Sequence, residues 1–220
     1  MKKIILAIIL LLHALSSFAK KNDSLDIKIG QMIMIGINER TSLNEGDPLI
    51  EELKTGKAGG VVIFEKNLAK TNTKDSLQLL TGNLQKNALL PLFISIDEEG
   101  GKVHRLKEKY GFFTMPSAAY LGKIDNSDST LYHNRKLAGL LAELGINLNY
   151  APVADMAVNP ENTVIVKNER SFGAQPERVI KHASLCVQAH HEHGVKTILK
   201  HFPGHGSSAG DSHFGIVDVS

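Results

Sequence analysis

The sequence predicts an α/β fold, a (β/α)8 TIM-type barrel that runs as far as about the fifth or sixth strand. Three observations predict it. Short, wholly apolar runs of strand length alternate with longer stretches of helical periodicity. The apolar runs carry no polar alternation, which is the mark of strands covered on both faces in a parallel sheet with helical crossovers. Polar, reactive residues stand directly after the strand ends, where barrels of this type assemble their active sites.

The first segment, "MKKIILAIILLLHALSSFAKKND", lies outside this pattern. Lys2 and Lys3 precede the unbroken apolar run Ile4 to Leu12, and Ser17-Phe18-Ala19 offers small residues at the −3 and −1 positions. This is the form of a secretory signal peptide cut after Ala19, and it implies an exported, periplasmic or extracellular protein. The run is short for a membrane span, which needs about 20 apolar residues. No stable membrane insertion is therefore expected after cleavage, and the absence of a nearby cysteine excludes lipid attachment at the site.

The repeats then follow in order. "GQMIMIGI" (Gly30–Ile37) reads as the first strand and "DPLIEELKTGKAGG" as a helix closed by glycines. "GVVIF" (Gly60–Phe64) is the second strand. "TKDSLQLLTGNLQKNA" places leucines at helical spacing behind a threonine cap. "PLFISI" (Pro91–Ile96) is the third strand and runs into Asp97-Glu98-Glu99-Gly100-Gly101. A helix is expected from about Thr130 to Leu144 and a fourth strand near Ile146–Tyr150. Glu177 to about His193 is the next helix, and "VKTILKHF" (Val195–Phe202) the fifth strand.

Five βα repeats suit either an open doubly wound sheet or most of a barrel. No Gly-x-Gly-x-x-Gly turn follows the first strand, which counts against a dinucleotide-binding sheet. Asp97 after the third strand, Asn149 and Asp155 near the fourth, and Lys200 with His201 after the fifth favour the barrel. A complete barrel typically takes about 250 residues, more than remain after Ala19. The pattern breaks off at "GIVDVS", so residues 20–220 are expected to form the N-terminal part of a barrel.

Composition is ordinary for a globular chain, with 42% apolar and 22% charged residues and no repeat. Loss of Lys2 and Lys3 takes the formal charge from +2 to zero. A neutral mature chain makes no electrostatic case for nucleic acid or an anionic membrane. Cys186 is the one cysteine, so no intrachain disulfide can form, and its helical setting suggests a buried, inert thiol.

Four stretches carry possible chemistry. In "DEEGGKVHR", glycines after an acid let the backbone approach a ligand closely. Asp97 can accept from paired hydroxyls and Arg105 can donate, although a tight turn with surface charges fits equally well. In "NERSFG", Arg170 is either a forked donor to a ligand oxygen or a solvated arginine, and by itself the latter is preferred. In "KHFPGHG", consecutive Lys200 and His201 ensure that at least one faces the rim. In "GSSAGDSH", Gly206 to Gly210 is small and flexible, and Asp211 and His213 share one face of an extended chain. An aspartate beside a histidine fixes its tautomer and favours imidazolium, a proton donor near neutral pH. His201, His205, Asp211 and His213 could also be zinc ligands, but a Gly/Ser loop is a poor support for a metal. "HHEH" (His190–His193) lacks metal-protease spacing and reads as a solvated helix end.

Together these stretches resemble glycoside hydrolase family 3, in its β-N-acetylhexosaminidase branch. The resemblance runs from "IGQMIMIG" through "GGVVIF", "DEEGGKVHR", "NYAPVADM", "ERSFG" and "KHFPGHG" to "DSH". It implies a (β/α)8 barrel that removes terminal β-linked N-acetylhexosamine with retention, without cofactor or metal. Carried over by position, Asp97, Arg105, Arg170, Lys200 and His201 look like the terminal-sugar ligands. His213 looks like the general acid/base and Asp211 its partner. The "DSH" element points to this branch, since family β-glucosidases share the Asp-x-Glu-Gly-Gly and Lys-His-Phe elements but draw their acid from elsewhere. The natural partner would be an N-acetylglucosamine-containing oligosaccharide, such as a peptidoglycan fragment.

The resemblance also implies a nucleophilic aspartate after a late strand, beyond residue 220. Asp218 follows the dyad too closely to serve. These 220 residues alone are thus expected to be inactive and to leave strand edges unpaired. Lys102 stands where arginine is expected after Gly-Gly, and Glu98 where glutamine is expected. Rival readings are a β-glucosidase or phosphorolytic member of the family, and a secreted sugar-binding protein without catalysis.

Overall fold

The computed structural model describes residues 24–217; the expected signal peptide and Asp218 lie outside them. The described elements in chain order are α1 (Leu25–Gly30), β1 (Met34–Gly36), α2 (Pro48–Lys54), β2 (Gly60–Ile63), α3 (Thr73–Asn87), β3 (Phe93–Ile96), α4 (Ala118–Ile124), α5 (Ser127–Glu143), β4 (Leu148–Asn149), α6 (Pro176–Glu192) and β5 (Lys196–Thr197). The strands form one sheet in the order β1-β2-β3-β4-β5, and every pairing is parallel. A doubly wound sheet reverses its strand order at a switch point. This sheet does not reverse, so it curves as part of a barrel.

Each element follows from local chemistry. Asp47 caps α2 by accepting from the Leu49 N–H at 2.9 Å, with Pro48 in the first turn where a missing N–H does no harm. Ser117 and Asn126 cap α4 and α5 in the same way. The expected threonine cap of α3 is instead Asn72, in left-handed conformation and without a side-chain capping bond. Asparagine tolerates that conformation better than a β-branched residue. The strands are apolar because helices and barrel interior cover both faces. Val61, Ile63, Ile94 and Ile96 are buried, and they pack among Leu53, Leu77, Leu80, Leu84, Leu141 and Leu144.

Sequence periodicity does not show α1 and α4, which have six and seven residues and are too short to display a repeat. Gly30, expected to open β1, instead ends α1. The fifth strand is also shorter than "VKTILKHF" suggests. Its ladder runs from Lys196 N to Asn147 O at 2.8 Å and Ile198 N to Asn149 O at 3.0 Å. Contact then resumes as a bridge between Val153 and Lys200, with the Lys200 N–H donating to Pro152 O at 3.3 Å and the Ala154 N–H to Lys200 O at 2.8 Å. That interruption lets the β5 end turn into the rim.

Candidate active site

Side chains alternate along extended backbone, so the acids after β3 divide. Asp97 and Glu99 enter the rim, and Glu98 points inward, where it is buried. Asp97 Oδ2 accepts from Arg105 Nη2 at 3.0 Å, and Oδ1 accepts from Lys200 Nζ. Lys200 Nζ also lies 2.5 Å from Glu99 Oε1. The Arg170 fork closes on Glu99 with two bonds of 2.8 Å. Burial opposes the Arg170 charge, but the Glu99 carboxylate outweighs it and raises the guanidinium above its ordinary value. The preference for a solvated Arg170 is therefore corrected: its side chain is 11% exposed. Gly100 and Gly101, with φ of 92° and 56°, make the turn that brings Arg105 back beneath Asp97.

Lys200 and His201 both face the rim. His201 Nδ1 donates to Asp155 Oδ2 at 2.6 Å, and its Nε2 lies 3.2 Å from Arg170 Nη2. Arginine only donates, so Nε2 accepts and the imidazole is the neutral Nδ1–H tautomer. Asp155 also accepts from the His205 N–H at 2.6 Å. Burial pushes its carboxyl up, but these partners outweigh burial and hold it below the usual range. A cleft of about 460 Å³ borders this group, lined by Asp155, Lys200, His201, Met156 and Phe202.

The segment expected to be flexible is in two parts. Residues 205–208 are pinned: Asn162 Nδ2 donates to His205 O at 2.8 Å and Ser208 O at 3.0 Å, and Ser208 is buried. A side chain at Gly206 would place its Cβ 1.8 Å from Met156 O, so only glycine fits. Beyond Ser208 the chain is largely exposed. There His213 Nδ1 donates to Asp211 Oδ1 at 2.6 Å, and the His213 N–H reaches the same oxygen at 2.9 Å. The backbone bond first, then the ring, holds the Asp211 carboxyl below its usual range. Nε2 is left as the ring nitrogen able to meet a ligand. A polar chain ties this tip to the pocket, since His205 Nε2 lies 3.2 Å from Ser212 Oγ while its backbone sits on Asp155.

Among the described residues, no three His, Cys, Asp or Glu side chains gather as a metal site. His201 is already satisfied by Asp155 and Arg170, and His205 by Ser208 and Ser212. Among the same residues, no helix is long and apolar enough to cross a membrane. The reading of "HHEH" as a solvated end holds for His191 to His193 and fails for His190. His190 is fully buried, donating from Nδ1 to Cys186 O at 2.9 Å and accepting from Asn149 Nδ2 at 3.1 Å. Burial pushes it down to about 4. Cys186 is buried as expected, and burial pushes its thiol up to about 12. The site residue that sequence reasoning does not find is Glu99, which joins Arg170 to Lys200. Its signal was the alternation that puts positions 97 and 99 on one face.

Fold and rim together define a parallel α/β barrel with a cluster of paired charged side chains at its strand ends. The chain belongs to glycosyl hydrolase family 3: residues 24–220 match the family's N-terminal domain. It is 37% identical over 163 residues to the β-hexosaminidase of Idiomarina loihiensis, covering 72% of this chain and 47% of the relative. It is 34% identical over 197 residues to the β-hexosaminidase LpqI of Mycobacterium tuberculosis, covering 86% and 46%. The chain thus spans about half the length of these curated relatives. Among solved structures, a family 3 β-N-acetylglucosaminidase from Paenibacillus sp. superposes with a TM-score of 0.77 at 34% identity, covering 86% of this chain and 35% of the other. NagZ of Neisseria gonorrhoeae, in complex with N-trifluoroacetyl-D-glucosamine, gives 0.74 at 32% identity, covering 84% and 53%. The resemblance read from the motifs is borne out at the level of family and barrel.

Proposed function

We propose that the protein is an exported glycosidase that removes terminal β-linked N-acetylhexosamine with retention, from oligosaccharides such as peptidoglycan fragments. The observation that carries this is the convergence of Asp97, Arg105, Arg170, Lys200 and His201 on one rim, tied by hydrogen bonds to the segment bearing the Asp211–His213 pair. The names of the relatives support the substrate class.

In this reading Asp97 and Lys200 take the sugar hydroxyls, while Arg170 and His201 shape the remaining wall. His213, oriented through Nδ1 by Asp211, protonates the leaving oxygen from Nε2 and later deprotonates the attacking water. In this reading the nucleophile is a carboxylate other than the described acids of the rim. Asp97 and Glu99 are both paired with Lys200, and Asp155 with His201, so the acids of this rim serve to hold cations and position histidine.

The test is turnover of aryl N-acetyl-β-glucosaminide against aryl β-glucoside, with and without phosphate, by the product of the complete coding region. Preference for the first without need of phosphate is the expected result. Preference for the glucoside, a requirement for phosphate, or binding without turnover would each overturn it in favour of a different reading.

A further inference from the structure

Glu98 is a titratable group that the proposed chemistry leaves unused. Its side chain turns inward between Asp97 and Glu99 and is 2% exposed. Oε2 accepts from the backbone N–H of Arg105 at 2.7 Å and of Leu106 at 3.1 Å. The main chain of Glu98 is itself clamped, because Asn149 Oδ1 accepts from its N–H at 3.0 Å and Asn149 Nδ2 donates to its C=O at 2.9 Å. One carboxylate therefore fastens the return segment that delivers Arg105 to Asp97.

We propose that Glu98 is a positioning residue of the sugar pocket: its ionised carboxylate holds the Arg105 segment beneath Asp97, and the hold loosens on protonation. An ionised acceptor makes bonds roughly twice as strong as a neutral one, and protonation at Oε1 leaves Oε2 as a neutral carbonyl oxygen for the same two N–H groups.

The surroundings leave Glu98 as the group that changes charge near neutrality. Arg105 and Asp97 face it from its own loop, and Glu99, Arg170 and Glu169 line the same small cavity from the rim. Arg170 and Glu99 neutralise each other. From α6 come His190 and Cys186, both uncharged at neutral pH, and from α5 the uncharged Asn134. Burial pushes Glu98 up to about 7, against the two N–H bonds and the Arg105 charge. The carboxylate is thus protonated below that value and ionised above it, so the Arg105 segment tightens as pH rises through about 7.

The consequence for ligand affinity rests on the proposed substrate; the geometry does not. The test follows the amide resonances of Arg105 and Leu106 from pH 5.5 to 8.5 in the full chain and in Glu98→Gln, with N-acetylglucosamine affinity measured at both ends. Glutamine keeps a carbonyl oxygen for the two N–H groups but cannot titrate. Both amides are expected to shift with a shared midpoint near 7 in the parent and not in the variant. Affinity should rise roughly fivefold with pH in the parent beyond any rise in Glu98→Gln. Equal amide titration in both proteins overturns the assignment, and equal affinity ratios overturn the role in binding. Intact amide titration with no N-acetylglucosamine binding at either pH supports the positioning role and sinks the substrate reading instead.

Discussion

The charged rim and the segment bearing Asp211 and His213 are built on opposite physical terms. Arg170 and Glu99 are 11% and 6% exposed and locked in a two-bond fork, whereas His213 is 78% exposed. Buried ion pairs of this geometry are rigid, and breaking one strands a charge in a medium that cannot solvate it. An exposed pair such as Asp211–His213 adds little stability, so its 2.6 Å bond serves to orient a ring. The difference teaches a division of labour. In the proposed function, the recognition residues are fixed by buried pairs before a ligand arrives, while the residue assigned as proton donor sits on an exposed segment.

Glu99→Gln would break this contrast most severely. It leaves Lys200 with Asp97 but strands the Arg170 guanidinium with no paired carboxylate among the described residues, so a loss of about 3–5 kcal/mol in stability is expected. Denaturant unfolding would measure that loss, and N-acetylglucosamine binding should vanish with it. A variant that folds as stably and binds as well would show that the fork is not what organises the pocket.

His213→Ala sharpens the comparison from the other side. With His213 in its proposed acid/base role, its removal is expected to cost about 10²–10⁴ in rate on substrates with poor leaving groups. Aryl substrates that depart unaided should retain far more rate. Stability should stay within about 0.5 kcal/mol, since the side chain is exposed. Steady-state kinetics on both substrate types decides it, and equal losses on the two would remove His213 from the proposed acid/base role.

The parts that sequence makes legible are those with a period or a motif. Strands β2 and β3, helices α3, α5 and α6, and the rim positions of Asp97, Lys200 and His201 all follow from apolar spacing and strand ends. What sequence hides is partnership. In "DEEGG" no local feature says that the first and third acids hold cations while the second is buried, although the strand alternation contains the answer. His190 is a similar case. Val179, Ala183, Cys186 and His190 fall three or four apart on one buried stripe of α6, and that periodicity outranks the polar look of "HHEH". The fork between Arg170 and Glu99 joins positions 71 apart in sequence, and no local pattern could reveal it.

Asn162 marks the boundary between the two regions and gives the smallest and most diagnostic effect. Its Nδ2 donates to the carbonyls of His205 and Ser208, and its Oδ1 accepts from the Val164 and Ile165 N–H groups at 3.0 and 2.6 Å. One buried side chain thus splices the segment after β5 to the loop after β4. Asn162→Ala leaves these groups unpaired, with an expected loss of about 1–3 kcal/mol. Asn162→Asp keeps the acceptor but turns a carboxylate toward two carbonyl oxygens, so it should be no better. Arg170 is held mainly by its two-bond fork on Glu99, with further bonds to Val164 O and Ile165 O in the loop that Asn162 organises, so sugar affinity should fall less than kcat as the segment bearing His213 loses its anchor. Calorimetric binding beside turnover separates the two. A parallel fall in affinity would mean that the exposed segment and the buried pocket form a single cooperative unit.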